Sequence, residues 1–270
     1  MEEDPVMTLN TTNDAEGMVL VAVTAEVATV TLNRPNHFNA LSGALLHELQ
    51  TAIDRIAGDG SIRVVVLEAR GRGFCSGHDL KEIRAMESVE QVEALFARCS
   101  QMMLSLTRMP QPVIAKVHGL ATAAGCQLVA TCDLAVASTA ATFATPGVSI
   151  GAFCSTPGVA LGRAVGRKAA MEMLLTGAPI TAERACVLGL VNRVVPPEAL
   201  DTEVASLAAL ITSKSATAIR TGKQLFYRQL EMPLAAAYGV AGHAIACDFK
   251  SPDGLEGVDA FLGKRVPQWR

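Results

Sequence analysis

The sequence predicts an α/β protein built on a largely parallel sheet, and three observations carry that prediction. Short β-rich runs alternate with amphipathic helical stretches up to about residue 150. Two of those runs, IRVVVL at 62–67 and VIAKV at 113–117, are nearly continuous and β-branched, the pattern of strands covered on both faces. Beyond Pro157 the pattern becomes almost wholly helical.

The elements follow in order. Val19 to Thr24 and Val27 to Leu32 read as strands around a short turn, the second alternating Ala28, Val30 and Leu32 with Thr29 and Thr31. Ser42 is a helix cap, and Leu45, Leu49, Ala52, Ile53 and Ile56 form one apolar face behind it. Ile62 to Leu67 is a buried strand, followed by the glycine-rich GRGFCSGHDL. A helix of about 20 residues carries Val89, Val92, Leu95, Phe96, Cys99, Met103 and Leu106 on one face, and Pro110 and Pro112 stop it. Val113 to Val117 is a strand, HGLATAAGCQL opens a short helix, and Asp133 to Ala137 is the next strand. Helices are expected at 157–176, 181–188, 197–212, 215–230, 233–248 and 253–263, with Val191 to Val195 extended. The expected division is a disordered tail at 1–16, a core at 17–205 and a helical region at 206–270.

Half of the 270 residues are hydrophobic, enough for a sizeable core. The net charge of −3 and the lack of a basic stripe give no reason to expect a nucleic-acid partner. The seven cysteines are scattered, odd in number and never in a CxxC pair, so neither a disulfide framework nor a metal site is expected. Reduced thiols and an acidic N-terminus without a basic or apolar leader lead to the expectation of a cytoplasmic location. No apolar run reaches membrane-spanning length.

Two loops are the candidates for chemistry. Cys75-Ser76-Gly77-His78-Asp79-Leu80 follows a buried strand and precedes a helix, and Ala123-Ala124-Gly125-Cys126-Gln127 has the same setting. Helix N-termini present unpaired N–H groups to negative charge. Two such groups converging on a carbonyl oxygen make an oxyanion hole. The alternative is that these small residues only permit tight turns and close helix packing. Three other patterns carry less. GRGFCSG has the wrong spacing for a dinucleotide loop. Gly147-Val148-Ser149-Ile150-Gly151 has Pro146 where a nucleophile elbow needs a strand. His47-Glu48 lacks the second histidine of a zinc helix.

At these loops the sequence resembles the crotonase superfamily, whose best-known members are enoyl-CoA hydratases and isomerases. LNRPNHFNALS, FCSGHDL, PVIAKVHGLATAAGCQLVATCD, FATPGVSIGAFCSTPG, RAVGRKAAMEMLLTG and AERACVLGLVNRVV match that family's motifs in order, from about Val19 to the C-terminus. The resemblance implies a ββα-spiral core, a C-terminal helical trimerisation region, and a homotrimer or dimer of trimers. It implies an oxyanion hole from the amides of His78 and Ala124. It places coenzyme A, carried as part of the substrate, along Asn36, His37, Phe38 and Ala40 and the Ser76, Gly77, His78, Asp79, Leu80 loop. Leu120, Ala123, Ala124, Gly125 and Pro146 complete the expected substrate contacts, and Lys264 is expected to reach a phosphate on a neighbouring subunit. No permanently bound cofactor is implied.

The sequence departs from the family where its hydratases keep two glutamates. Gln127 and Gly147 stand at those positions. A glutamine amide binds water but takes no proton near neutrality, and glycine offers no side chain. Three substitutes suggest themselves: a borrowed anion such as bicarbonate, a Cys154 thiolate beside a helix N-terminus, or the His78 imidazole. Two functions follow: an enzyme of acyl-CoA enolate chemistry working with non-standard groups, or a non-catalytic acyl-CoA-binding or regulatory protein.

Overall fold

The computed structural model describes residues 17–269; the tail expected at 1–16 lies outside the described residues. Val19–Thr24 (β1) and Val27–Leu32 (β2) form an antiparallel hairpin, with Val19 opposite Leu32 and Thr24 opposite Val27. Ala28, Val30 and Leu32 are fully buried, as the alternation requires. The Ser42 hydroxyl accepts the Leu45 N–H and starts Gly43–Ala57 (α1), whose predicted apolar face is buried.

From there the chain repeats one unit. A long strand enters one sheet, a short strand enters a second sheet, and a helix returns. Val64–Ala69 (β3) is followed by Gly73–Cys75 (β4) and by Leu80–Ala85 (α2) and Val89–Arg108 (α3). Val113–Val117 (β5) is followed by Leu120–Thr122 (β6) and Ala124–Thr131 (α4). Leu134–Ser138 (β7) is followed by Thr142–Ala144 (β8), a 3-10 turn at Pro146–Ile150, then Ser155–Ala164 (α5) and Arg167–Thr176 (α6). Ile180–Thr181 (β9), Ala182–Leu188 (α7) and Arg193–Val195 (β10) close the spiral. The large sheet runs β1-β2-β3-β5-β7-β10 and is parallel from β2 onward. The small sheet runs β4-β6-β8-β9. This is the expected ββα spiral.

Two expectations need correction. The small sheet was not foreseen, because strands of two or three residues are too short to show a period. The helix expected over 157–176 is broken at Val165 and Gly166, where extended backbone (Gly166 ψ 141°) separates α5 from α6.

One face of the large sheet packs on α1 and α3 through Val30, Leu49, Leu67, Met102 and Leu106. The other face packs Val64, Val66, Ile114 and Val136 against Leu200–Thr212 (α8). The boundary expected at residue 205 therefore falls inside a helix that covers the sheet. Ala216–Gln229 (α9), Leu234–Lys250 (α10) and Pro252–Leu262 (α11) follow. A buried cluster fastens α9 to the core. The Asp133 carboxylate accepts from the Val113 amide (2.7 Å), Lys223 Nζ (2.7 Å) and Tyr227 Oη (2.9 Å). Lys223 also donates to the carbonyls of Leu106 and Gln111, so all three of its protons are used. Among the described residues, no helix is long and apolar enough to cross a membrane.

Candidate active site

The small sheet explains why the two candidate loops meet. β4 and β6 are parallel neighbours, with Gly73 opposite Leu120 and Cys75 opposite Ala121. The loops after them therefore leave the same end of the same sheet. The Thr122 hydroxyl donates to the Ser76 carbonyl at 3.0 Å. Gly77 has φ +91°, and a Cβ there would stand 2.8 Å from the Ala123 Cβ and 3.2 Å from the Ala124 nitrogen. At Gly125 a Cβ would collide with the Cys75 carbonyl. Both glycines are demanded by this contact.

The contact brings the expected amides together. Leu41 pairs with the His78 position: its N–H donates to the Gly77 carbonyl (2.8 Å), and its carbonyl accepts the Asp79 N–H (3.2 Å). That geometry leaves the His78 N–H outside the ladder. Ala124 is the first residue of α4, so its N–H has no partner one turn back. Ala123, at φ 48° and ψ −119°, makes the sharp turn that presents it. A non-glycine residue in this region is strained, and the Ala123 N–H held by the Ala144 carbonyl at 2.9 Å helps to keep it there.

The Asn36–Ala40 segment is tied to the first loop. Phe38 and Asn39 are both left-handed, at φ 48° and 53°. Asn39 is fully buried: its Oδ1 accepts the Arg34 N–H, and its Nδ2 donates to the carbonyls of Arg70 and Gly73. The Ser76 N–H reaches the Phe38 carbonyl at 3.0 Å. The Arg34 guanidinium spans the segment, from the Ala40 carbonyl at 2.7 Å to the Asp79 carboxylate at 3.2 Å. Burial alone would raise the Asp79 carboxyl. The Glu82 and Lys81 amides, which it caps at the start of α2, and Arg34 outweigh that and hold it below the usual range. Arg34 and Asn39 were not among the expected site residues, although both lie in the LNRPNHFNA motif. His37, Phe38 and Leu80 remain exposed beside these loops, and the Arg72 guanidinium lies 5.2 Å above the Phe38 ring. Lys264 is not brought here: it sits in the exposed turn after α11, which packs on α9 and α10.

The two glutamate positions are built differently. Gln127 lies in α4, 5% exposed, with its Oε1 buried and unpartnered. Gly147 follows Pro146 at the start of the 3-10 turn, and its N–H donates to Cys154 Sγ at 3.2 Å. A Cβ on Gly147 would stand 2.5 Å from the Ala152 carbonyl oxygen and 2.8 Å from Cys154 Sγ. The position is closed as well as empty. Cys154 precedes α5, but burial raises its thiol, and the Gly147 hydrogen bond offsets that only in part. Burial therefore works against the thiolate expected there.

Several buried polar side-chain atoms have no partner. Among the described residues they include His78 Nε2, Gln127 Oε1, Thr145 Oγ1 and Thr156 Oγ1. Thr145 directly precedes Pro146, and Thr156 lies in the first turn of α5. Neither threonine was foreseen, since a lone buried hydroxyl leaves no pattern in a sequence.

The His78 ring packs on Phe96 with centroids 4.4 Å apart, and burial depresses its pKa to about 4. It is thus neutral at pH 7, whereas an unfolded histidine titrates near 6.5. Above about pH 6.5 both states are neutral and His78 costs nothing. Below it the unfolded chain takes up a proton first, and stability falls until about pH 4. Urea unfolding at pH 7 and pH 4.5 should show a loss of about 2 kcal/mol from this group, and His78→Phe should abolish that part. An equal loss in the variant would remove His78 as the cause.

The enoyl-CoA hydratase/isomerase family model matches residues 22–270. The chain belongs to this family. Within it, the rat protein named enoyl-CoA hydratase domain-containing protein 3, mitochondrial, is 46% identical over 90% of this chain and 81% of its own length. A crystal structure of enoyl-CoA hydratase from Mycobacterium smegmatis superposes with a TM-score of 0.93 at 56% identity, covering 94% of this chain and 99% of that one. Human enoyl-CoA hydratase domain-containing protein 3 superposes with a TM-score of 0.90 at 45% identity, covering 93% and 100%. The SGHDL and AAGCQLVATCD loops resemble that same group within the family. The expectation of a cytoplasmic location is corrected: the rat, mouse and human relatives are named mitochondrial. Scattered, unpaired cysteines do not tell one reducing compartment from another.

Proposed function

We propose that this family member binds an acyl-CoA thioester and stabilises its enolate with the amides of His78 and Ala124. The observation that carries the reading is the pair of unladdered N–H groups in loops held together through Gly77 and Ala124. A thioester has little charge on oxygen, whereas its enolate has a full negative charge there. Donors fixed at that oxygen therefore favour the enolate over the bound ground state.

Coenzyme A would run over Asn36, His37, Phe38 and the Ser76–Leu80 loop, with its acyl end towards Leu120, Pro146, Gln127 and Gly147. Gln127 and Gly147 take no proton, burial works against a Cys154 thiolate, and burial leaves the neutral His78 imidazole a weak base. The proton step therefore falls to a small anion such as bicarbonate, or it is not needed. Large apolar residues exposed on the C-terminal helices, among them Phe226, Leu230, Tyr238, Ile245, Phe249 and Phe261, support assembly as a trimer or dimer of trimers. Lys264 would then serve a neighbouring subunit's coenzyme A phosphate.

Acetoacetyl-CoA tests the reading without requiring catalysis, because its enolate has its own ultraviolet band. Binding should raise that band at neutral pH and lower the apparent pKa by about two units, the equivalent of one amide donor worth about 3 kcal/mol. Binding with no change in the band would leave the second reading, a non-catalytic acyl-CoA binder. The closed position at Gly147 is the observation that favours it.

A further inference from the structure

Outside the two loops, α10 carries a histidine and a cysteine in contact. His243 and Cys247 are four residues apart, so they stand one above the other on the same side of the helix. His243 Nε2 and Cys247 Sγ are 3.6 Å apart, and both residues are exposed. Cys247 differs in this from the other cysteines: five are buried, and Cys186 is half-buried. By helical spacing the pair faces roughly opposite to Tyr238, Ile245 and Phe249, the exposed apolar side of α10. A Cβ on Gly239 or Gly242 would meet no neighbour within 4 Å, so the space beside His243 is open.

The separation is that of a metal chelate. Zinc takes a thiolate sulfur at about 2.3 Å and an imidazole nitrogen at about 2.0–2.1 Å, and a tetrahedral angle between them sets nitrogen and sulfur about 3.6 Å apart. The two side chains already stand at that span. Ligands at i and i+4 also have the spacing of the histidines in a zinc helix. We propose that His243 and Cys247 form an exchangeable surface site for a thiophilic divalent cation of the zinc type. The inference goes beyond the acyl-CoA reading and does not rest on it.

Imidazole and thiolate fill two of the four tetrahedral positions, and water fills the others, which leaves the ion free to exchange. The thiol proton leaves as the sulfur–metal bond forms, so each ion taken up releases a proton. A soft sulfur and an imidazole nitrogen select zinc-like ions over magnesium and calcium, which take oxygen ligands. The adjacent Asp248 is turned away: it is half-buried and accepts the Thr221 hydroxyl at 3.5 Å. The H-x-x-x-C spacing has no CxxC signature and becomes a pair only because α10 is a helix.

Cobalt(II) is the probe, because its bond to a thiolate gives a near-ultraviolet charge-transfer band that zinc lacks. Titrated into the reduced full-length protein, it should bring up that band, saturate at about one ion per chain and release protons in step. Zinc added afterwards should displace the cobalt and remove the band. Cys247→Ser should abolish the band, and His243→Ala should weaken uptake by more than about tenfold. Urea unfolding without metal should match wild type in both variants, which keeps a folding defect from passing as a lost site. No band at saturating cobalt would overturn the site and leave the pair a thiol–imidazole hydrogen bond. A band that survives in Cys247→Ser would put the metal on another thiol and overturn it as well. Equal uptake by wild type and His243→Ala would show a thiol acting alone, and the chelate would be overturned.

Discussion

Asp133→Ala is expected to destabilise the protein by about 3–5 kcal/mol, because it leaves a buried lysine without its counter-ion. Lys223 has 6% of its side chain exposed, and burial already depresses its pKa against the pull of Asp133. Without the carboxylate, Lys223 must give up its proton or draw water under α9. The Val113 N–H and the Tyr227 hydroxyl lose their acceptor in the same step. For a chain of this length the melting temperature should fall by about 10 °C. A double-mutant cycle with Lys223→Met separates the pair from the rest of the cluster. A loss under about 1 kcal/mol on urea unfolding would show that the pair contributes no more than a surface ion pair.

The second large effect is an asymmetry between the two glutamate positions. Gln127→Glu exchanges groups of nearly equal shape, so the fold should survive. The new carboxyl would sit 95% buried, by the exposure of the residue it replaces, and its pKa should be raised towards that of a working base. Crotonyl-CoA hydration is expected to rise by about 10²–10⁴-fold over wild type. Gly147→Glu has no such opening, because its Cβ meets the Ala152 carbonyl and the Cys154 sulfur. It should lose about 3 kcal/mol of stability and gain no hydration. Hydration that rises in Gly147→Glu but not in Gln127→Glu would show that the closed position opens and the buried one does not.

Much of this was legible before the coordinates. The strand pattern of Val27 to Leu32, the capped helix from Ser42 and the Met-lined α3 all follow from local periodicity. The family resemblance of their loops put the His78 and Ala124 amides forward as candidates, and the structure sets those loops on neighbouring strands. What was not legible is whatever depends on register between distant strands. The small sheet has no periodicity to read, yet its pairing of Gly73 with Leu120 brings the loops together. The closure at Gly147 depends on where a carbonyl five residues later folds back, and composition is silent on that. Burial was not legible either: the place of Cys154 before α5 suggested an activated thiol, and the packing around it pushes the thiol's pKa up.

Each turn of the spiral carries one of the loops named in the proposed function. The first holds His78, the second holds Ala124 and Gln127, and the third holds Gly147 and Cys154. Under the proposed function, holding the oxygen and managing the substrate's other end would fall largely to separate stretches of chain. The third stretch is free to change its chemistry while the first two keep theirs, so the same scaffold can exchange one reaction for another by revising a single corner.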